Sequence, residues 1–231
     1  MKLAIMQPYF MPYIGYFQLI NVVDKFVIYD DIEYTKKGWI NRNRVLNEGK
    51  DVFITIPLEK DSDFLDIVQR RVSVSFNKRK MINQITNYYR KAPFYIEGYQ
   101  LFNTIINFDE TNLFSFIYNS IKEICDFLEI NTPLIISSSI NMNRSLKGAE
   151  RVMSICKTIG AEEYINPIGG LDLYDKTEFK KNNIELFFLK TNSFNYKQFD
   201  NEFIPFLSIL DVIMFNKKEQ IQNYLNKYTL I

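Results

Sequence analysis

The chain of 231 residues contains no histidine. That one absence excludes Ser-His-Asp and Cys-His catalytic arrangements and every His-ligated metal site. Cysteine is nearly absent too. The two that occur, Cys125 and Cys156, fall inside helical patterns, so a structural zinc site and a disulfide framework are both implausible and buried free thiols are expected. Charge of one sign is missing: 28 Lys and Arg against 27 Asp and Glu leave a net +1, so no global field draws nucleic acid or an anionic membrane. No apolar run approaches the roughly 18 residues of a membrane span. The opening "MKLAIMQPYF" meets proline before a signal-peptide core can form, which points to a cytoplasmic protein without a membrane span. Acid–base chemistry, if any, falls to Asp, Glu, Lys or Tyr.

What is present is a large apolar fraction, 47%, enough for a sizeable core. "KLAIMQ" reads as a buried strand, "GYFQLINVVD" as a helix and "KFVIYDD" as a second buried strand, together a βαβ unit with parallel strands. A polar stretch, 32–44, follows and is too polar for core. "RVLNEGKDVFITIPL" reads as a hairpin turning at Gly49, and "DIVQRRVSVSF" as one more strand-like segment. Helices are expected near 77–91, 94–108 and 112–129. "PLIISSSI" is then a strand, "KGAERVMSICKTIG" a helix, "EEYINPIGG" a short strand, "IELFFLK" the last strand, and "FIPFLSILDVIMF" and "KEQIQNYLNKY" closing helices. The fold expected is α/β: a mostly parallel Rossmann-like sheet with a small antiparallel hairpin insertion and added helices. It forms one domain over 1–231, with the hairpin and helical insertion at about 44–130.

In such sheets ligands bind beyond the carboxyl ends of the strands. The strand ends here carry Gln7, then Asp30 and Asp31, then Ser137, Ser138 and Ser139, then Asn166 with Gly169 and Gly170. The loop after the first strand adds Tyr9 and Gly15. The stretch "YDDIEYTKKGWINRNR" is the richest in chemistry. Its acids Asp30 and Asp31 are candidates for proton removal, although adjacent strand residues face opposite ways and only one of the two is expected to face a substrate. Lys36 and Lys37 can offset an oxyanion. Asn41, Arg42 and Asn43 suit phosphate or sugar hydroxyls, and Tyr34 and Trp39 suit stacking. The triple serine has no base partner and reads as a cap or an oxygen-binding turn. No metal site is expected.

Four segments, "QPYFMPYIGYFQLI", "DKFVIYDDIEYTKKGWINRNRV", "ISSSI" with "RVMSICKTIGAEEYINPIGG", and "YKQFDNEFIPFLSILDVIMF", resemble the WbqC-like family of bacterial proteins over nearly the whole chain. The sequence departs from that family at Tyr13, where tryptophan is frequent, and around "SFNKRK", where tryptophan and histidine are frequent. The resemblance implies a setting in surface-glycan synthesis, O-antigen (lipopolysaccharide) or capsule. That setting, taken with the polar cluster at the strand ends, leads to the expectation of a transferase that moves an acyl or aminoacyl group onto the amine of a nucleotide-linked amino sugar. The donor, free or carrier-bound, is unnamed, and other glycan-synthesis enzymes or a carrier protein are possible partners; no nucleic acid is expected. Two alternatives stand beside it. The opening is similar to the HIGH-motif nucleotidylyltransferase superfold, with "YIGY" in the motif's place and both of its histidines missing. The other alternative is a non-catalytic binding or assembly protein of a glycan-synthesis complex.

Overall fold

The first strand, β1 (Lys2–Met6), alternates its side chains between two apolar clusters, and this alternation organises the molecule. In the computed structural model, which describes residues 1–62 and 64–231, Leu3 and Ile5 face one side and Ala4 the other. Helix α1 (Ile14–Val22) leads to β2 (Lys25–Ile28), where Val27 shares the side of Leu3 while Phe26 and Ile28 share that of Ala4. A sheet apolar on both faces must be covered on both, as parallel sheets are.

The polar stretch that follows runs into a hairpin, β3 (Arg42–Asn47) and β4 (Lys50–Thr55). Its two turn residues, Glu48 and Gly49, have φ of +49° and +74°, the signs a type I′ turn needs. Helices α2 (Lys78–Tyr89), α3 (Tyr95–Asn107) and α4 (Leu113–Leu128) come next. The side chains of Asn77 and Asn112 cap α2 and α4, accepting from Lys80 N and Ser115 N at 2.8 and 3.0 Å. Then come β5 (Leu134–Ile136), a 3-10 turn at Ser137–Ser139, α5 (Gly148–Ile159), β6 (Glu163–Pro167), α6 (Lys176–Lys181), β7 (Glu185–Thr191), α7 (Ile209–Phe215), α8 (Lys218–Leu225) and β8 (Tyr228–Leu230).

The main sheet has the order β5-β2-β1-β6-β7-β8, parallel throughout except for β8, which runs antiparallel to β7. One face is covered by α5 and α6 through Val152, Ile155, Cys156 and Phe179. The other is covered by α1, α4, α7 and α8, and the same apolar cluster continues into the hairpin through Val45 and Leu46. The chain is therefore α/β, with a mostly parallel six-stranded sheet and a separate two-stranded hairpin. Cys125 and Cys156 are free and buried, and burial pushes both thiols up to about 12.

Several local expectations change. "DIVQRRVSVSF" is no strand: it holds a 3-10 turn, Ile67–Gln69, and isolated bridges to Glu33, Leu58 and Asn112. Its backbone pairs one residue at a time with three different neighbours, so no ladder propagates. β7 is not the last strand, because β8 adds an edge. The helix in "FIPFLSILDVIMF" begins only at Ile209, after Pro205, a left-handed Phe206, and Ser208, whose Oγ accepts from Leu210 N at 3.3 Å. Helix α6 lacks a long apolar period and was not expected. The stretch 32–44 is not wholly surface: Ile40, Asn41 and Asn43 are buried.

Strands β1, β2 and β5 build outward in one direction, and β6 and β7 in the other. The reversal falls between β1 and β6, which is the topological switch point of a doubly wound sheet. There the strands part. β1 and β6 are in register only at Lys2–Glu163 and Leu3–Tyr164, although β1 runs on to Met6 and β6 to Pro167.

Candidate functional site

The parting of β1 and β6 opens a crevice of about 560 Å³ at their carboxyl ends. Met6 and Gln7 form one bank; Asn166, Pro167 and the 3-10 turn Ile168–Leu173 form the other. Tyr9 and Tyr13 close it from the loop after β1, and Tyr29, Tyr164 and Tyr174 supply further aromatic wall.

Several of its polar atoms are held. Gln7 accepts from the Tyr9 hydroxyl through Oε1 at 3.2 Å, and its main-chain oxygen accepts from the Tyr16 hydroxyl at 3.0 Å. Asn166 accepts from the Tyr164 hydroxyl through Oδ1 at 3.4 Å. Gly170 makes room for that amide: a Cβ there would fall 1.9 Å from Asn166 Nδ2, whereas a Cβ on Gly169 would meet nothing. The loop 8–12 is fastened from behind. Asn43 Nδ2 donates to the carbonyls of Phe10 and Met11 at 3.1 and 2.9 Å, and Ser208 Oγ donates to that of Met11 at 2.7 Å. These bonds hold Met11 in a left-handed conformation, φ +43°, beside the site.

A charged cluster braces the wall at the end of β2. Asp31 pairs with Arg144 and with the buried Arg151, and contacts the Ser137 hydroxyl. Asp30 is fully buried. Its Oδ1 accepts from Ser137 Oγ at 2.8 Å and from Ser138 N at 2.9 Å, while its Oδ2 has no hydrogen-bond partner among the described residues. The Arg151 guanidinium lies 4.9 Å from the centre of the Tyr29 ring. Burial pushes the Tyr29 hydroxyl up to about 12; Arg151 opposes this, and Asp31 and Tyr174 add to it. Burial likewise raises Tyr9, Tyr13 and Tyr164, so the phenols of the crevice are protonated donors at neutral pH. Asp66, nearby, is raised by burial and by Asp31.

The residues singled out from the sequence divide into groups. Gln7, Tyr9, Asn166, Gly169 and Gly170 meet in the crevice. Gly15, Trp39 and Asn43 line an adjoining pocket of about 220 Å³ that shares Met6, Tyr9, Tyr13 and Pro167 with it. Tyr34, Lys36 and Asn41 line a separate groove of about 350 Å³ with Arg70, whose guanidinium sits 4.9 Å from the Tyr34 ring centre. Asn41 donates to Ile56 O and accepts from the Tyr34 hydroxyl, both at 2.8 Å. Arg42 lies 4.5 Å over the Phe53 ring and donates to Gly38 O at 3.0 Å, and Lys37 is exposed with φ +59°. Ser139 Oγ donates to Ile136 O at 2.7 Å. Asp30, Asp31, Ser138 and Ser139 brace the wall and do not line the crevice. Sequence reasoning passed over Tyr13, Tyr29, Tyr164, Arg144 and Arg151. Tyr29 does carry a signal, since it directly follows the carboxyl end of β2; Tyr164 is the second residue of β6 and carries none.

Among the described residues no group of three or more acids or cysteines is placed to hold a metal ion, and no helix is long and apolar enough to cross a membrane. Fold and crevice together define a doubly wound α/β protein with an open crevice at its switch point. The chain belongs to the WbqC-like protein family, whose family model matches residues 7–223. It is similar to the uncharacterized protein Rv1507c of Mycobacterium tuberculosis, 30% identical over 239 residues and 97% of each chain. No solved structure matches.

Proposed function

We propose that the crevice between β1 and β6 binds a nucleotide-linked amino sugar, and that the chain transfers an acyl or aminoacyl group to the sugar's amine in surface-glycan synthesis. The observation that carries the reading is the cleft itself: aromatic walls suited to a base or sugar ring, with an amide on each bank to fix its polar edge. The family resemblance supplies the glycan setting. In the step, the amine nitrogen attacks the acyl carbonyl of an activated donor. The C–N bond forms, the bond from the carbonyl carbon to the leaving group breaks, and the amine proton departs with the leaving group. The protonated phenols of Tyr9, Tyr13 and Tyr29 are suited to donate to the developing oxyanion, and their raised values make them poor bases. Asp31 acts through Arg151, which it holds beneath Tyr29, and Asp30 anchors the serine turn. Lys36 and Lys37 have no part in the step.

The test incubates the protein with nucleotide-linked hexosamines and a panel of acyl and aminoacyl donors, read by mass spectrometry. A gain of the acyl mass that disappears in Asn166→Ala is expected. Hexosamine binding without any mass gain would instead favour the non-catalytic assembly role.

A further inference from the structure

A second cavity opens on the same edge of the sheet, beyond the end of β7. It encloses about 710 Å³, between the chain that follows Thr191 and the start of α1. Tyr13 lines this cavity, the crevice and the small pocket between them. Phe206 lines two of the three, and its ring meets that of Tyr13 edge-on at 6.2 Å.

Two features mark this divider as built. A Cβ on Gly15 would fall 2.3 Å from the Tyr13 ring, so the first turn of α1 is bare where the ring lies. Phe206 has φ +59°, rare for a bulky residue, and the residue is 65% exposed, so neither backbone preference nor burial explains its position. Its neighbours hold it: Ser208 N donates to Arg44 O at 2.8 Å, and Gln198 both donates to Ile204 O and accepts from Ile204 N, at 3.2 and 2.7 Å.

The chemistry of the cavity differs from that of the crevice. Among the described residues no acid lines it and its one charged side chain is Lys190, beside Asn192, Ser193 and Asn195. Phe203, Phe206 and Val212 make an apolar floor. One cation among hydroxyl and amide donors over such a floor suits a ligand with a phosphate at one end and an extended, largely apolar arm.

We propose that this second cavity is the donor site, and that it takes an acyl thioester on a phosphate-bearing arm. The phosphate lies at Lys190, and the thioester reaches past Tyr13 toward the crevice. This rests on the transfer reading above and names its donor class. The amine nitrogen of the acceptor bonds to the thioester carbonyl carbon, the carbon–sulfur bond breaks, and sulfur leaves as the thiol, carrying the proton the amine gives up.

Calorimetry with coenzyme A, with pantetheine (the same arm without phosphate) and with a uridine-diphosphate hexosamine tests it. Coenzyme A is expected to bind with equal affinity whether or not the hexosamine is present, and more tightly than pantetheine. Lys190→Ala is expected to weaken coenzyme A about tenfold, remove its advantage over pantetheine, and leave hexosamine binding unchanged. Competition between the two ligands, failure of coenzyme A to bind, or indifference to Lys190→Ala would overturn the proposal. Lys190-dependent coenzyme A binding without hexosamine binding would overturn the acceptor reading alone and leave the second site standing.

Discussion

Leu3 faces Tyr164, and beyond this pair β1 and β6 no longer pair, although both strands continue. Each stays in register with its outer neighbour: Met6 still faces Ile28, and Pro167 still faces Leu189. The backbone thus fixes the crevice before any ligand arrives. A pre-formed cleft avoids the ordering cost that a collapsing one would add to binding.

Two adjacent glycines separate a packing requirement from a chain-flexibility requirement. Gly170→Ala must displace the Asn166 amide, because the added Cβ would overlap Nδ2; Gly169→Ala points into open space. Gly170→Ala is expected to weaken nucleotide-hexosamine binding tenfold or more, and Gly169→Ala to leave it within about twofold, since side-chain hydrogen bonds contribute about 1 kcal/mol or more. Calorimetry on the two variants, with melting curves as a folding control, makes the comparison.

Asp31 and Arg151 have side chains about 10% exposed, so each would be left nearly unsolvated without the other. Asp31→Asn is expected to cost about 3 kcal/mol of stability in urea titrations. The double variant Asp31→Leu with Arg151→Met is expected to recover part of that loss. A catalytic base would behave differently, losing turnover with stability intact.

Asp211 gives a pH dependence whose sign follows from its burial. It is fully buried and accepts from the hydroxyls of Tyr89 and Tyr196 at 2.8 and 2.7 Å and from Gln198 Nε2 at 2.7 Å. Burial raises its carboxyl from 3.8 to about 6 against the pull of those donors. The folded state therefore holds the proton more tightly than the unfolded chain. The resulting stabilisation is complete below about pH 4 and is lost as pH rises through about 6, at most about 3 kcal/mol. Urea titrations at pH 4.5 and 7.5 on the native chain and on Asp211→Asn isolate it: the difference between the two proteins should change by about 1–2 kcal/mol between those pH values.

Phe206→Gly relieves a left-handed backbone while removing the ring that abuts Tyr13. Its melting temperature is expected to stay level or rise, since the strain relieved is about 1 kcal/mol. Ligand binding in the second cavity is expected to fall. A large loss of stability would mean that Phe206 serves the fold rather than the site.

Much of the sheet was legible because strands buried on both faces read as short unbroken apolar runs, as "KLAIM" and "KFVI" do. Strand β8 was not: "YTL" is three residues of edge strand whose register comes from β7, not from its own pattern. In the site, Gln7, Asn166 and Gly170 were legible from topology alone, since polar residues and glycine at the carboxyl ends of parallel strands mark a cleft. The role of Asp31 was not, because its partners Arg144 and Arg151 come from 113 residues or more away in sequence. Asn41 and Asn43 read as ligand amides, yet they close backbone carbonyls left open by irregular chain, a demand that only the folded structure reveals.

The most direct test of the switch-point site is a crystal structure with a uridine-diphosphate hexosamine bound. The ligand is expected between β1 and β6, with polar atoms within hydrogen-bond distance of Gln7 and Asn166 and a ring against the tyrosine wall. A ligand seated instead in the groove of Tyr34, Lys36 and Asn41, with the crevice empty, would contradict it.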